Sequence, residues 1–348
     1  MSVRHSLAVV DGDGIGSSIV TAALDVLDAA VAITGARIDV HRLPELTDRD
    51  EFGLILGDST RGAYQETFES GFPVLHGPAG GRFVYQLRKA FNLDVKHTPI
   101  VPWPELANAS IVDSRRTAGA DILIVRDNAG GLYQGEFSRD DQSASHTAGY
   151  TVAQVETVLA SASEAAARRG QRLAVVTKPG GIPTISGLWR DTAERLVPPN
   201  IELEGLELDN ACFQVLSNPK RFDVIATPNM FGDVLGDTAT ALLGSRGMGY
   251  SVNRGAEGRA VYQTAHGAAY DLAGKDLANP VAQILSLAWL LRDSLGLINE
   301  SEIIVNAVRA ELARNVRTPD LADENSMVVG TRRFTERVCE EIGTARGE

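Results

Sequence analysis

Apolar positions along the chain follow two spacings, and where one gives way to the other an element ends. Residues 6–10 form a short apolar run suited to a buried strand. After a glycine-rich turn, residues 17–34 carry Ala22, Ala23, Val26, Leu27 and Ala30 at the 3.6 spacing of a one-faced helix. Short strands are predicted at 38–43, 53–56 and 73–75, with helices at 60–70 and 85–91. Residues 122–125 and 173–176 read as buried strands around a helix at 153–169. A strand at 223–227 leads into a helix at 231–243, and the stretch 244–258 is glycine-rich. Helices are predicted at 279–295 and 302–315, and the tail 344–348 is expected to fray. Strands alternating with helices predict an α/β fold. There is no internal repeat and no low-complexity segment.

Length and charge narrow the classes. A chain of 348 residues buries a large core, as two domains or one large α/β unit. A formal charge of −12 argues against general nucleic-acid binding, which needs a concentrated basic face. A few local arginines still suffice for a small anionic substrate. The longest apolar run, 284–291, is interrupted by Ser286 and falls short of the ~20 residues of a bilayer span, so no membrane is expected as a partner. The opening residues run straight into a strand, so no signal peptide is expected. Cys212 and Cys339 are too few for a disulfide framework and have no metal-ligand spacing, which points to a reducing cytoplasm.

The candidate chemistry begins with Asp11-Gly12-Asp13-Gly14-Ile15-Gly16, a glycine-rich strand-to-helix turn in which Ser17 occupies the place of a third dinucleotide-fingerprint glycine. Either a ligand or the fold alone explains such a turn. Asp233 and Asp237 are more specific. Four apart at a helix start, they project from one face and repel unless a cation lies between them, and hard oxygen donors suit Mg²⁺ or Mn²⁺. Arg88 and Arg126 are candidates for holding a carboxylate bidentately. Lys178 stands at a strand end, where α/β enzymes keep their ligands. Tyr133 follows Gly130-Gly131 in a loop, and His266-Gly267 precedes Asp271 in a turn.

In order along the chain, these pieces resemble the isopropylmalate/isocitrate dehydrogenase family, the β-decarboxylating dehydrogenases. The resemblance rests on Gly12–Gly16, Leu87-Arg88-Lys89, Val125-Arg126 with Gly130-Gly131-Leu132-Tyr133, Lys178, Asp209-Asn210, Asn229-Met-Phe-Gly-Asp233 with Asp237, His266-Gly267 with Asp271, Gly274-Lys275 and Asn279-Pro280, and Arg317-Thr-Pro-Asp-Leu321. It implies a two-domain, doubly wound fold: a large cofactor-binding domain from residues 1–94 and 246–348, and a small metal-binding, dimerising domain from 95–245. It further implies oxidative decarboxylation of a small-molecule 2-hydroxy acid in a homodimer with shared active sites. Asp233 and Asp237 would hold Mg²⁺ or Mn²⁺ together with Asp209 from the partner chain. Lys178, also from the partner, would shuttle the hydroxyl proton, and Tyr133 would protonate the carbon that loses carbon dioxide. A lysine carries a proton at neutral pH only if desolvation or a nearby metal lowers its pKa. Arg88 and Arg126 would hold substrate carboxylate. His266, Gly267, Asp271 and Asn279 would bind NAD, Asp271 by taking the ribose diol and repelling a 2′-phosphate.

Two departures bear on the substrate. Thr98 stands where the family has a second arginine, ten residues after Arg88; the neighbouring Lys96 and His97 are either substitutes for it or, as the favoured expectation, solvated loop residues. Arg82 and Val84 stand where relatives read the C3 substituent, and fit neither isocitrate nor isopropylmalate recognition. A 3-substituted malate of non-standard kind is therefore expected, with 3-isopropylmalate, tartrate or D-malate as alternatives. Regulatory paralogues without activity also occur in this family, but Tyr133, Lys178, Asp209, Asp233 and Asp237 are all present here.

Overall fold

The computed structural model describes residues 4–344, so the expectation for the tail beyond residue 344 lies outside them. In chain order the elements are β1 Arg4–Val10, α1 Gly16–Thr34, β2 Arg37–Arg42, β3 Arg49–Asp50, β4 Gly53–Leu54, α2 Asp58–Glu69, β5 Val74–His76, α3 Phe83–Ala90 and β6 Val95–Ile100. Next come α4 Ser114–Thr117, β7 Ile122–Asp127, β8 Phe137–Arg139, β9 Ala144–His146, α5 Val152–Ala167, β10 Arg172–Thr177, α6 Pro183–Leu196, β11 Glu202–Glu207 and α7 Leu208–Ser217. The chain continues through β12 Val224–Thr227, α8 Asn229–Ala239, β13 Tyr250–Arg254, β14 Ala260–Thr264, α9 Val281–Asp293, α10 Ile298–Ala313, β15 Val316–Arg317, β16 Met327–Val328 and α11 Thr331–Thr344.

Ten strands form one sheet in the order β11-β10-β12-β7-β6-β13-β14-β5-β1-β2. Strands β2, β1, β5 and β14 are parallel, as are β7, β12, β10 and β11. Between these two sets, β13 and β6 run antiparallel to each other and to their outer neighbours. The expected domain junctions at 94/95 and 245/246 thus fall at the start of β6 and shortly before β13, and the sheet crosses them without a break.

Helices cover both faces, as the doubly wound reading requires. Leu75, Tyr262 and Val252 pack with α1, α9, α10 and α11, while Val10, Val74 and Val261 pack on the other face with Phe83 and Leu87 of α3. In the second set, Val125, Leu173 and Val224 pack under α5 and α6, and Ile124, Ile225 and Val176 under α7 and α8. Helix α1 corrects the expectation that no apolar stretch reaches spanning length: its 19 residues have a mean hydropathy of 1.6. Ile19, Val20, Ala23, Val26, Leu27 and Ala30 are nevertheless buried, and it is a core helix of the sheet.

Several elements escape the spacing argument. Strand β6 replaces the expected loop around Lys96 and His97, and β13 with β14 lies partly within the glycine-rich stretch, where Gly249 and Gly255 flank the alternation. Helices α6, α7 and α11 are also additional. Helix α11 buries Phe334, Val338 and Ile342 four residues apart, a signal diluted by the charges between them.

The turn after β1 is held from two sides: Asp13 N–H donates to Pro78 O at 2.7 Å, and Ile15 N–H to Ala268 O at 2.9 Å. Gly14 adopts φ +56°, and a Cβ there would collide with the Ala268 carbonyl. Gly14→Ala is therefore expected to cost about 1–3 kcal/mol and to lower the thermal midpoint by several degrees, measured by calorimetry. An unchanged midpoint would show that the two loops are not locked together.

Candidate functional site

Paired residues on neighbouring strands leave the sheet on the same side. Asn253 on β13 is paired with Lys96 on β6, and Lys96 with Arg126 on β7. These three side chains therefore line one face, between α3 and α8, and they form the floor of the site. All three are buried.

Arg126 is the best-fixed of them, with a side chain only 3% exposed. Its Nε and Nη2 donate to Asn229 Oδ1 at 3.1 and 2.8 Å, and its Nη1 donates to Asp233. Asn229, the first residue of α8, is itself fixed by donating from Nδ2 to Gly130 O at 2.9 Å and from its backbone N–H to Tyr150 Oη at 2.9 Å. The Tyr133 hydroxyl donates to the other oxygen of Asp233 at 3.0 Å. Burial pushes the Asp233 carboxyl up, but the charges of Arg126 and Lys96 and the Tyr133 hydroxyl outweigh this and hold it below the usual carboxylate range. Burial and the Asp233 charge push the Tyr133 phenol up to about 12, which favours its protonated form. One turn along α8, Asp237 accepts from Arg246 Nη2 at 2.8 Å. The i, i+4 carboxylates thus meet the cations that their mutual repulsion demands. Asp127, fully buried beside Arg126, caps the Ala129 and Gly130 N–H groups at 3.0 Å, and burial raises its carboxyl to about 6.

From α3, Arg88 reaches the same region. It is buried, its Nε–H has no acceptor, and burial with the neighbouring Arg126 guanidinium pushes it down to about 9. Tyr85, one turn before, was not singled out by sequence, although i+3 spacing from Arg88 could have found it. Its ring makes an edge contact with Tyr133 at 5.2 Å and lies 5.7 Å from the Arg88 guanidinium and 5.9 Å from that of Arg82. Arg82 also lies over Phe137 of β8 at 5.1 Å, so aromatic rings hold it in place. Val84 is half-buried and packs onto the core beneath α3.

Lys96 and His97 are not solvated loop residues; both lie on β6, on opposite faces, Lys96 buried and His97 half-buried. His97 faces α5, where its Nε2 lies 2.8 Å from Ser161 Oγ, and burial pushes it down to about 3. Lys96 faces the site. Burial, then Arg126 and Arg88, pushes its ammonium down to about 7. Thr98, one pleat further, is paired with Ile124 and buried.

Lys178 and Asp209 lie elsewhere. Lys178 Nζ donates to Glu207 Oε2 at 2.7 Å and to Asp209 Oδ1 at 2.6 Å, and these bonds hold the ammonium above its ordinary value. The lowered pKa expected of a proton carrier is thus absent within one chain, because two carboxylates stabilise the charged form. Among the described residues, no three of His, Cys, Asp and Glu gather as a metal site. Asp233 and Asp237 supply two hard oxygen donors on one face, which suits a divalent ion needing further ligands from outside the chain.

The expected cofactor residues lie along the segment from His266 to Asn279, which Ala268 ties to the Gly14 turn. His266 places Nδ1 3.0 Å from Gly267 O, while its buried Nε2 has no partner. Asp271 is exposed beside Tyr270, whose hydroxyl donates to Asp13 at 2.9 Å. The unpartnered Nε2 and the exposed carboxylate fit a polar ligand over this turn. Asn279 differs: its Oδ1 caps the Val281 N–H at 3.0 Å and its Nδ2 donates to Asp320 at 3.0 Å, because the start of α9 needs an acceptor.

The profile of the family described as isocitrate/isopropylmalate dehydrogenase matches residues 6–338. The 3-isopropylmalate dehydrogenase of Wolinella succinogenes is 36% identical over 363 residues, covering 99% of both chains. That of Desulfitobacterium hafniense is 38% identical over 341 residues, covering 93% of this chain and 96% of the relative. Among solved structures, isocitrate dehydrogenase from Methylococcus capsulatus superposes with a TM-score of 0.83 at 28% identity, over 97% of this chain and 99% of that one. The TT0538 protein from Thermus thermophilus gives a TM-score of 0.84 at 27% identity, over 99% of this chain and 69% of that one.

An ammonium held below its unfolded value destabilises the fold wherever both states are protonated. For Lys96 that penalty is full below about pH 7 and fades as pH rises towards the ordinary value of 10.5. Lys96→Met, without metal or substrate, is expected to unfold several degrees above wild type near pH 6, with the gap closing towards pH 10. A gap independent of pH would mean that the amine is not desolvated.

Proposed function

The chain belongs to the isocitrate/isopropylmalate dehydrogenase family, and on that premise we propose that it catalyses NAD- and divalent-metal-dependent oxidative decarboxylation of a 3-substituted malate-type 2-hydroxy acid. The observation that carries this reading is the junction of Arg126, Tyr133 and Asp233, with Arg88 and Asp237 beside it. It joins a carboxylate-binding cation, a proton donor and a hard metal ligand in one cleft.

Asp233 and Asp237 would hold Mg²⁺ or Mn²⁺ with Asp209 of the partner subunit. The bound ion would act as a Lewis acid on the 2-hydroxyl and its adjacent carboxylate while NAD accepts the hydride. Arg88 and Arg126 hold the second carboxylate through charge-assisted hydrogen bonds. Tyr133, kept protonated, delivers its proton to the carbon that loses carbon dioxide. Lys178 takes the hydroxyl proton across the subunit boundary, and commitment of Asp209 to a metal would remove one of the two charges that hold it protonated. Asp271 would accept from the ribose diol of NAD, and His266 Nε2, without a partner among the described residues, offers a further polar atom to the cofactor.

Two observations support a homodimer with shared sites. Lys178, Glu207 and Asp209 form their own cluster, apart from Asp233. Phe213 on α7 and Val234 on α8 are 67% and 49% exposed, an apolar face suited to a second copy. The unpaired thiols, Cys212 and Cys339, fit a reducing compartment such as the cytoplasm.

For the C3 substituent, the cation of Arg82 beside Tyr85 supports a polar or anionic group over a branched alkyl one. Leaving a guanidinium unpaired against isopropyl is costly.

A screen of 3-substituted malates with NAD and Mn²⁺, followed by reduced-cofactor absorbance and carbon dioxide release, tests this reading. Activity is expected to vanish in excess chelator and in Asp233→Asn. Isocitrate and 3-isopropylmalate are expected to fall below about 10⁴ M⁻¹s⁻¹ in kcat/KM, a usual value for true substrates. Efficient 3-isopropylmalate turnover, unchanged in Arg82→Ala, would refute the substrate assignment.

The charge of Asp271 should also favour NAD over NADP by about tenfold or more in kcat/KM, roughly 1.4 kcal/mol. Equal values for the two cofactors would contradict its role.

A further inference from the structure

Resting on that reading, we propose that Lys96 binds the substrate directly: its ammonium takes the carboxylate destined to leave as carbon dioxide, completing a three-cation clamp with Arg88 and Arg126. Three features carry this. Lys96 is paired across the ladder with Arg126, so the two side chains rise together from one face of the sheet. It is buried, yet no hydrogen bond or ion pair among the described residues answers its charge, which is favoured through space by Asp233 and Asp237. Of the three residues near the expected arginine position it alone qualifies, because His97 turns to Ser161 on the opposite face and Thr98 carries no charge.

The local charge balance points the same way. Arg88, Lys96 and Arg126 bring three positive groups to a cleft where Asp233 and Asp237 are the facing carboxylates. A divalent ion on those two aspartates leaves Asp127 as the nearby carboxylate facing the cations, and a substrate carboxylate between them offsets part of the remaining excess. A buried unpaired cation is a standing cost to the fold, and such costs concentrate at binding sites.

Compared with an arginine at position 98, a lysine at 96 moves the charge one pleat along β6, by roughly 6–7 Å of strand. It also replaces a two-pronged donor with a point charge. Arg88 and Arg126 therefore set the carboxylate's orientation, and Lys96 adds affinity with looser directional demands.

The probe is D-malate, which carries the 2-hydroxyl and both carboxylates shared by every 3-substituted malate, set against its 4-amide, which lacks the carboxylate in question. Calorimetric Kd values are measured on Mn²⁺-loaded wild type, Lys96→Met and Lys96→Arg. Lys96→Met is expected to weaken D-malate about 10- to 100-fold and to leave the 4-amide within about twofold. Lys96→Arg should recover most of the loss. Equal weakening of both ligands, or no weakening of D-malate, overturns the proposal while leaving the reaction assignment standing. Wild type that binds neither ligand overturns both.

Discussion

A guanidinium sealed between strand and helix imposes conditions on everything near it. Arg126 is almost without water, so its donors must find oxygen within the protein or lose several kcal/mol of solvation without return. Asn229 meets two of them and Asp233 a third. Meeting them fixes where α8 begins, because Asn229 is its first residue and Asp233 lies one turn on. The Gly130 carbonyl and the Tyr150 hydroxyl then fix Asn229 in turn. The register of β7 against α8, the direction of the Asp233 carboxylate and the place of Tyr133 all follow from a single buried charge.

That charge does not stand alone, and the imbalance around it defines the site. Arg88 and Lys96 approach from α3 and β6, and among the described residues neither has a side-chain partner that neutralises it. A protein that only needed to fold would gain by replacing them with apolar groups of similar volume. Their retention makes the cleft a place where an anion is more stable than water, while Asp233 and Asp237 on its far wall attract a cation. The two requirements lie side by side, as a hydroxy acid chelating a metal through one end and held by cations at the other would need. The second cluster, at Lys178, is complete in itself as an ion pair and becomes chemical only if something else claims Asp209.

How much of this could be read beforehand depended on whether a residue's partners were local. The Asp233–Asp237 pair was legible because a helix makes i and i+4 neighbours wherever it occurs. The first helix, the strands with uninterrupted apolar runs, and the glycine turn were legible for the same reason. Lys96 was not, because a strand with charged residues inside it looks like a loop until the neighbouring strands are known. Tyr85 has only its spacing from Arg88 and Asn229 only its place in a motif; their roles arise from what neighbouring elements bring to them. Asn279 carries a structural duty that its place in the motif did not announce: its amide caps the start of α9 and donates to Asp320.

The unbroken ladder from β2 to β11 has a mechanical consequence. Two lobes joined only by flexible strings could swing apart about a point, at little elastic cost. Here every strand at the junction is bonded on both sides, so any widening of the crevice must be spread as torsion through β14, β13, β6 and β7, in the manner of a leaf spring. The stiffness of that spring resides in the strands that carry Lys96, Arg126 and Asn253. Lys96 and Arg126, proposed to hold a carboxylate, thus sit on the strands through which the crevice would flex, so a pull on them towards an anion would be felt as twist in the sheet.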